Sequence, residues 1–120
     1  MNATGCSSSL WVSLTGGDRI VEARFLLPIK DNKGVAFAES RFTWLEEEMT
    51  RRFGGFTYEG LFPGAYYDKH SIMRDTSRRY RIAVPKWRLE ELERFLRKVK
   101  TDFGQQSLYF SVTEGQVLFL

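Results

Sequence analysis

The chain has little of what usually makes a catalytic or metal site legible. Its 120 residues include one cysteine, one histidine and three prolines. A single cysteine allows no internal disulfide and fits a reducing, cytoplasmic setting. Cys6 also has no lysine or histidine near it in sequence, so it is not expected to act as a nucleophile. His70 sits between carboxylates without the spacing of a zinc or iron motif, so no metal and no cofactor is expected. No apolar run approaches the roughly 20 residues of a membrane span. Residues 1–9 have neither a basic start nor an apolar stretch, so no signal peptide is expected. The glycines of Gly54-Gly55 and Gly104 follow amphipathic segments rather than precede them, which marks helix C-caps and not phosphate loops.

What is present describes a folded globule. The composition is 42% hydrophobic and 15% aromatic, enough for one core and too little chain for two. The formal charge of +3 is unevenly spread. Arg78 to Lys100 carries nine Lys/Arg against three Glu, a net of +6, which leaves −3 on the remainder. Such asymmetry raises the question of an anionic partner.

One pattern is written twice. Phe25-Leu26-Leu27-Pro28 ends a strand, an amphipathic helix follows, and that helix stops at Phe53-Gly54 before a new strand. Ile82-Ala83-Val84-Pro85 leads into a second helix that stops at Phe103-Gly104 before another. Two such units predict a ferredoxin-like split βαβ sandwich (βαββαβ), α+β in class: an antiparallel sheet with two helices packed on one face. Residues 19–120 form this domain. Residues 1–18 are expected to be a flexible or edge-strand segment, and 117–120 could add a further edge strand.

Period-two alternation from Arg19 to Ile29 puts Val21, Ala23, Phe25 and Leu27 inward. The first helix, from about Ala38 to Phe53, carries the stripe Phe42, Leu45, Met49 and Phe53, with Glu47–Arg51 and Glu48–Arg52 as favourably ordered pairs. The second carries Leu89, Leu92, Leu96, Val99 and Phe103, with Phe95 widening the stripe. Between them, Phe56 to about Tyr67 reads as an irregular edge strand, broken by Gly60, Pro63 and Gly64, and Asp68–Ser71 as a hairpin turn. Tyr80, Ile82 and Val84 point inward, as do Leu108, Phe110 and Val112. Gln105 and Gln106 are expected to hydrogen-bond across the two related helix ends. Trp44 falls off the apolar stripe and is expected to be exposed.

Three candidate sites follow. In this fold Arg24, Arg79 and Arg81 cluster on the uncovered sheet face, with Tyr109 on a neighbouring strand and Glu22 close by, the layout that RNA-recognition domains use. Nucleic-acid binding through this face is the weak reading, because arginine or alanine occupies the central positions where stacking aromatics would sit and only Tyr109 is suitably placed. The 56–75 segment offers Tyr58 and Tyr67 for ligand contact and His70, Asp68 and Glu59 as candidate acid–base groups for a small enzyme. The surplus of aromatics instead favours a contact surface.

The segments Phe53-Gly54-Gly55-Phe56-Thr57, Gly60, Tyr67-Asp68, Asp75, Tyr80 and Phe103-Gly104-Gln105-Gln106 together resemble small uncharacterised bacterial ferredoxin-like α+β proteins, similar to some found in mobile gene cassettes. The resemblance covers about Ile20 to Val112. It implies the same fold and a bacterial origin, and carries no activity. The leading expectation is a non-enzymatic binding module acting as a homodimer, through the open sheet face or the N-terminal segment, without membrane contact.

Overall fold

The computed structural model describes residues 19–115 together with Val117 and Leu120. The expectations for residues 1–18, and most of that for 117–120, lie outside the described residues. Strand β1 (Ile20–Pro28) leads through a loop to helix α1 (Glu39–Phe53). Strands β2 (Thr57–Asp68) and β3 (Ser71–Pro85) form a hairpin, and a short 3-10 turn opens helix α2 (Leu89–Asp102). Strand β4 (Tyr109–Glu114) closes the sheet, whose order is β2-β3-β1-β4 with every neighbour antiparallel. This is the split βαβ sandwich that the repeated pattern predicts.

The alternation of β1 explains the layering. Val21, Ala23, Phe25 and Leu27 are fully buried, while Glu22, Arg24 and Leu26 between them are only half-buried on the other face. The buried row packs with Phe42, Leu45, Met49 and Phe53 of α1 and with Leu92, Phe95, Leu96 and Val99 of α2. Both helix stripes are therefore where the 3.6-residue period puts them. Glu48 joins the buried side of α1 because Arg51 and Arg52 both pair with it; the expected Arg51 partner was Glu47. Val112 stays 38% exposed, because β4 is a short edge strand that the helices do not cover. Trp44 is likewise 38% exposed, as its place off the stripe predicts.

The two helix ends repeat one device. Gly54 caps α1 with a left-handed φ of 89°, and Arg88 donates from Nη2 to the Arg52 carbonyl at 2.7 Å while lying over the Phe53 ring at 5.0 Å. At the other end Gly104 has φ 65°, and the Gln105 and Gly104 amides bond the Lys100 and Thr101 carbonyls in a Schellman closure. Arg41 donates to the Asp102 carbonyl and lies 4.6 Å from the Phe103 ring centre. Each helix C-terminus thus receives a cation from the start of the other unit, where the helix dipole is negative. The glutamines do not bridge the ends as expected. Gln105 Nε2 bonds the nearby Phe103 carbonyl, and Asn32 reaches Gly104 instead.

The hairpin is longer than the sheet needs. At about 3.3 Å per residue, the 15 residues of β3 span roughly the 51 Å long axis of the molecule. Strand β1 ends at the Pro28–Ser77 rung and the Ile29 amide still bonds the Thr76 carbonyl, so among the described residues the five rungs from Gly64–Asp75 to Asp68–Ser71 have no third strand beside them. They form a two-stranded arm, closed by a turn in which Lys69 takes φ 61°.

Candidate functional site

The uncovered face gathers five charged side chains at the centre of the sheet. Register places Arg24 opposite Arg81 and Leu26 opposite Arg79, and Glu22 lies one row away on the same face. Glu59 joins them through a β-bulge. Tyr58 pairs with Tyr80 on the helix side, so Glu59 beside it faces the open side, and because Gly60 then pairs with Arg79, Glu59 is the extra residue of the bulge. Gly60 makes this conformation accessible at φ 109°.

Glu59 is the hub. Its Oε1 accepts from Arg79 Nε at 2.8 Å and from Arg24 Nε at 3.2 Å, and its Oε2 lies 3.5 Å from Arg81 Nε. Glu22 lies 3.5 Å from Arg81 and 3.9 Å from Arg24. The Arg79 guanidinium also stacks 3.8 Å over the Phe62 ring. Three guanidinium groups share two carboxylates, leaving one net positive charge.

The opposite face holds a second group that the sequence reading did not find. Tyr80 is buried, and its hydroxyl donates to Glu46 Oε2 at 2.6 Å. Arg78 bonds Glu39 at 2.8 and 2.9 Å, approaches Glu46 and the Tyr80 oxygen at 3.3 Å, and lies over the Phe42 ring at 3.9 Å. Burial pushes the Tyr80 phenol well above its ordinary value, and the bond to Glu46 adds to this while Arg78 opposes it. Burial works against the charge of Arg78, but its bonds to Tyr80 and Glu39 outweigh that and hold its pKa raised. The signal was present: Glu39, Phe42 and Glu46 share one face of α1, and Arg78 shares the parity of Tyr80.

The candidate residues of the 56–75 segment do not converge. Tyr58 is 43% exposed on the helix side, 5.5 Å from the Tyr80 ring and 5.5 Å from Arg78. Glu59 faces the other way. Tyr67 and Asp68 lie at the far end of the arm and His70 is exposed in its tip turn. Nine residue steps along the strand, about 30 Å, separate Asp68 from Glu59. A single pocket lined by Tyr58, Glu59, Tyr67, Asp68 and His70 is therefore not what the hairpin builds, because strand alternation and its length hold these side chains apart. The arginines are brought together as the fold predicts, and Tyr109 shares the row of Leu26 and Arg79, two strands from Arg79 and 59% exposed. Among the described residues no group of three His, Cys, Asp or Glu side chains is arranged to hold a metal ion, and no helix is long and apolar enough to cross a membrane.

Fold and site define the chain as a small ferredoxin-like α+β protein with an extended β2–β3 arm and a charged open sheet face. Neither a protein-family model nor a curated relative matches the sequence. Among solved structures, the divalent ion tolerance protein CutA1 from Ehrlichia chaffeensis is similar, with a TM-score of 0.60 over 86% of this chain and 87% of that one. The identity is 6%, so the likeness speaks to the fold alone.

Proposed function

We propose that this chain is a non-enzymatic interaction module that works as a homodimer, with the β2–β3 arm as its interface. The observation that carries the proposal is the arm, which no other described strand or helix covers. Two-stranded ribbons are marginal in water without a third strand or a packed layer, yet this one presents Tyr66 (54% exposed) and Met73 (41%) on one face, and Tyr67 (77%) and Ile72 (55%) on the other. Leu61 continues the second row at 55% exposure.

A second copy suits this surface. At roughly 200 Å² for each large side chain, the exposed part of Tyr67, Ile72 and Leu61 on the one face comes to about 370 Å². Two such faces packed together bury about 700 Å², the size of a weak contact, which suits a dimer that dissociates on dilution. The arm's Asp68–Lys69 and Arg74–Asp75 pairs sum to zero charge, so two copies do not repel. Pro63 supports face packing over edge pairing, since a proline in a continuous ladder turns its nitrogen to the free edge and blocks strand addition there. The open sheet face is the poorer choice for the dimer, because closing it would desolvate five ionised side chains at several kcal/mol each. In this reading the dimer works in the bacterial cytoplasm.

Solution mass across a dilution series is the test. A dimer that dissociates on dilution, and that is lost in a Tyr67→Asp/Ile72→Asp variant with unchanged circular dichroism, is expected. A monomer at every concentration, or a dimer indifferent to these substitutions, overturns the proposal.

A further inference from the structure

The geometry points to a second role for the open face: a binding site for a compact phosphate group carried by a small molecule, seated on Arg24, Arg79 and Arg81 with Glu59 as the element that holds them in place. This does not rest on the dimer, which uses the arm. The argument starts from unused donors. Only the Nε atoms of Arg24 and Arg79 donate hydrogen bonds within the cluster, both to Glu59. The six terminal nitrogens of the three arginines make no hydrogen bond among the described residues; their contacts with Glu22, at 3.5 and 3.9 Å, are ion pairs at longer range. Three anchored forks with unfilled ends are an array of planar donors, the arrangement that recognises an oxyanion bidentately.

The supporting parts are rigid. The arginines stand on the two central strands, β1 and β3, rather than on loops. Phe62 backs the Arg79 plane, and the bulge fixes Glu59 beneath the cluster, its side chain 15% exposed. Preorganised side chains lose less entropy when a ligand arrives. Tyr109 lies two strands from Arg79, about 10 Å at the usual strand spacing, where a ring attached to the phosphate could rest.

Two features favour a compact anion over a polynucleotide. Glu22 and Glu59 lie inside the cluster and interrupt any continuous positive track for a phosphodiester backbone. Among the described residues of the sheet itself, Tyr109 is the one free stacking platform on this face, since Arg79 already covers Phe62 and Tyr66 lies out on the arm.

The experiment is calorimetric titration of the full chain with inorganic phosphate and with pyrophosphate, beside a 20-nucleotide single strand as the competing source of phosphate. Saturable binding of both small anions is expected, with pyrophosphate the tighter. An Arg79→Ala/Arg81→Ala variant should weaken it roughly tenfold or more, and Arg79→Lys should weaken it too, because the charge stays but the fork is lost. Glu22→Gln should strengthen binding about fivefold, since a competing negative charge is removed while the Glu59 bonds that anchor the arginines remain. That gain cannot come from misfolding. Absence of binding, or Glu22→Gln binding equal to or weaker than the parent, overturns the proposal. So does binding of the oligonucleotide alone with a steep salt dependence.

Discussion

The Tyr80 hydroxyl reaches across from the centre of β3 to donate a 2.6 Å hydrogen bond to Glu46 on α1, and the Arg78 guanidinium lies beside both. This contact ties the sheet to the first helix through a polar bond at the edge of the core. Tyr80→Phe keeps the ring stacked on Phe25 at 5.3 Å and removes only the bond. The expected cost is about 1–2 kcal/mol, since Glu46 keeps Arg78 as a partner, read as a shift in denaturation midpoint without a change in slope. Because the folded phenol has its pKa raised above the ordinary 10, the unfolded chain loses its proton first as pH rises. Stability should therefore hold below about pH 10 and fall above it, and Tyr80→Phe should flatten that alkaline limb.

Arg88 and Arg41 perform the same task at the two helix ends, and their loss should have similar effects. Arg88→Ala removes the bond to the Arg52 carbonyl, the contact with the Phe53 ring and the pair with Glu91. A loss of about 1–2 kcal/mol is expected. Arg41→Ala should cost a comparable amount, and equilibrium denaturation of both variants checks the parallel.

Glu91 gives the acid limb of stability a specific contributor. The Arg88 bonds hold its carboxyl below the ordinary 4.5, partly offset by burial. Its contribution is complete above that value and disappears as pH falls through the lower folded value. Glu91→Gln should shrink the loss of stability between neutral and acid pH, while leaving the alkaline limb unchanged.

Gly60 is expected to be irreplaceable for a local reason. An added Cβ would meet no atom within 4 Å, so the cost of Gly60→Ala lies wholly in the backbone at φ 109°. That cost is about 1–2 kcal/mol. A second consequence distinguishes this from a generic loss: relief of the strain should displace Glu59, loosen the arginines, and change their side-chain NMR signals.

The layers of this fold were legible because alternation and helical period are strong along β1, α1 and α2. Val21 to Leu27, Phe42 to Phe53 and Leu92 to Val99 all fall where those periods place them. The arginine cluster followed from parity on the two central strands. The face of Glu59 escaped because it follows from the pairing of Tyr58 with Tyr80, a cross-strand register that the irregular period of β2 does not encode. The hairpin itself was legible, as a strand from Phe56 to about Tyr67 and a turn at Asp68–Ser71. That its far half stands as an arm was not, because this depends on β1 ending at the Pro28–Ser77 rung, a register between strands distant in sequence. The halves of the Arg78 group were legible, Glu39, Phe42 and Glu46 on one face of α1 and Arg78 in parity with Tyr80, but their meeting is a contact between α1 and β3 that no local period encodes.

The central claim, that the arm is where two copies meet, is tested most directly by amide hydrogen exchange at low and high protein concentration. Amides of the arm, 61–74, should exchange quickly in dilute protein and gain protection as concentration rises, while amides of β1 remain protected throughout. Self-association with the arm amides unchanged, or with new protection confined to the open sheet face, would contradict the account.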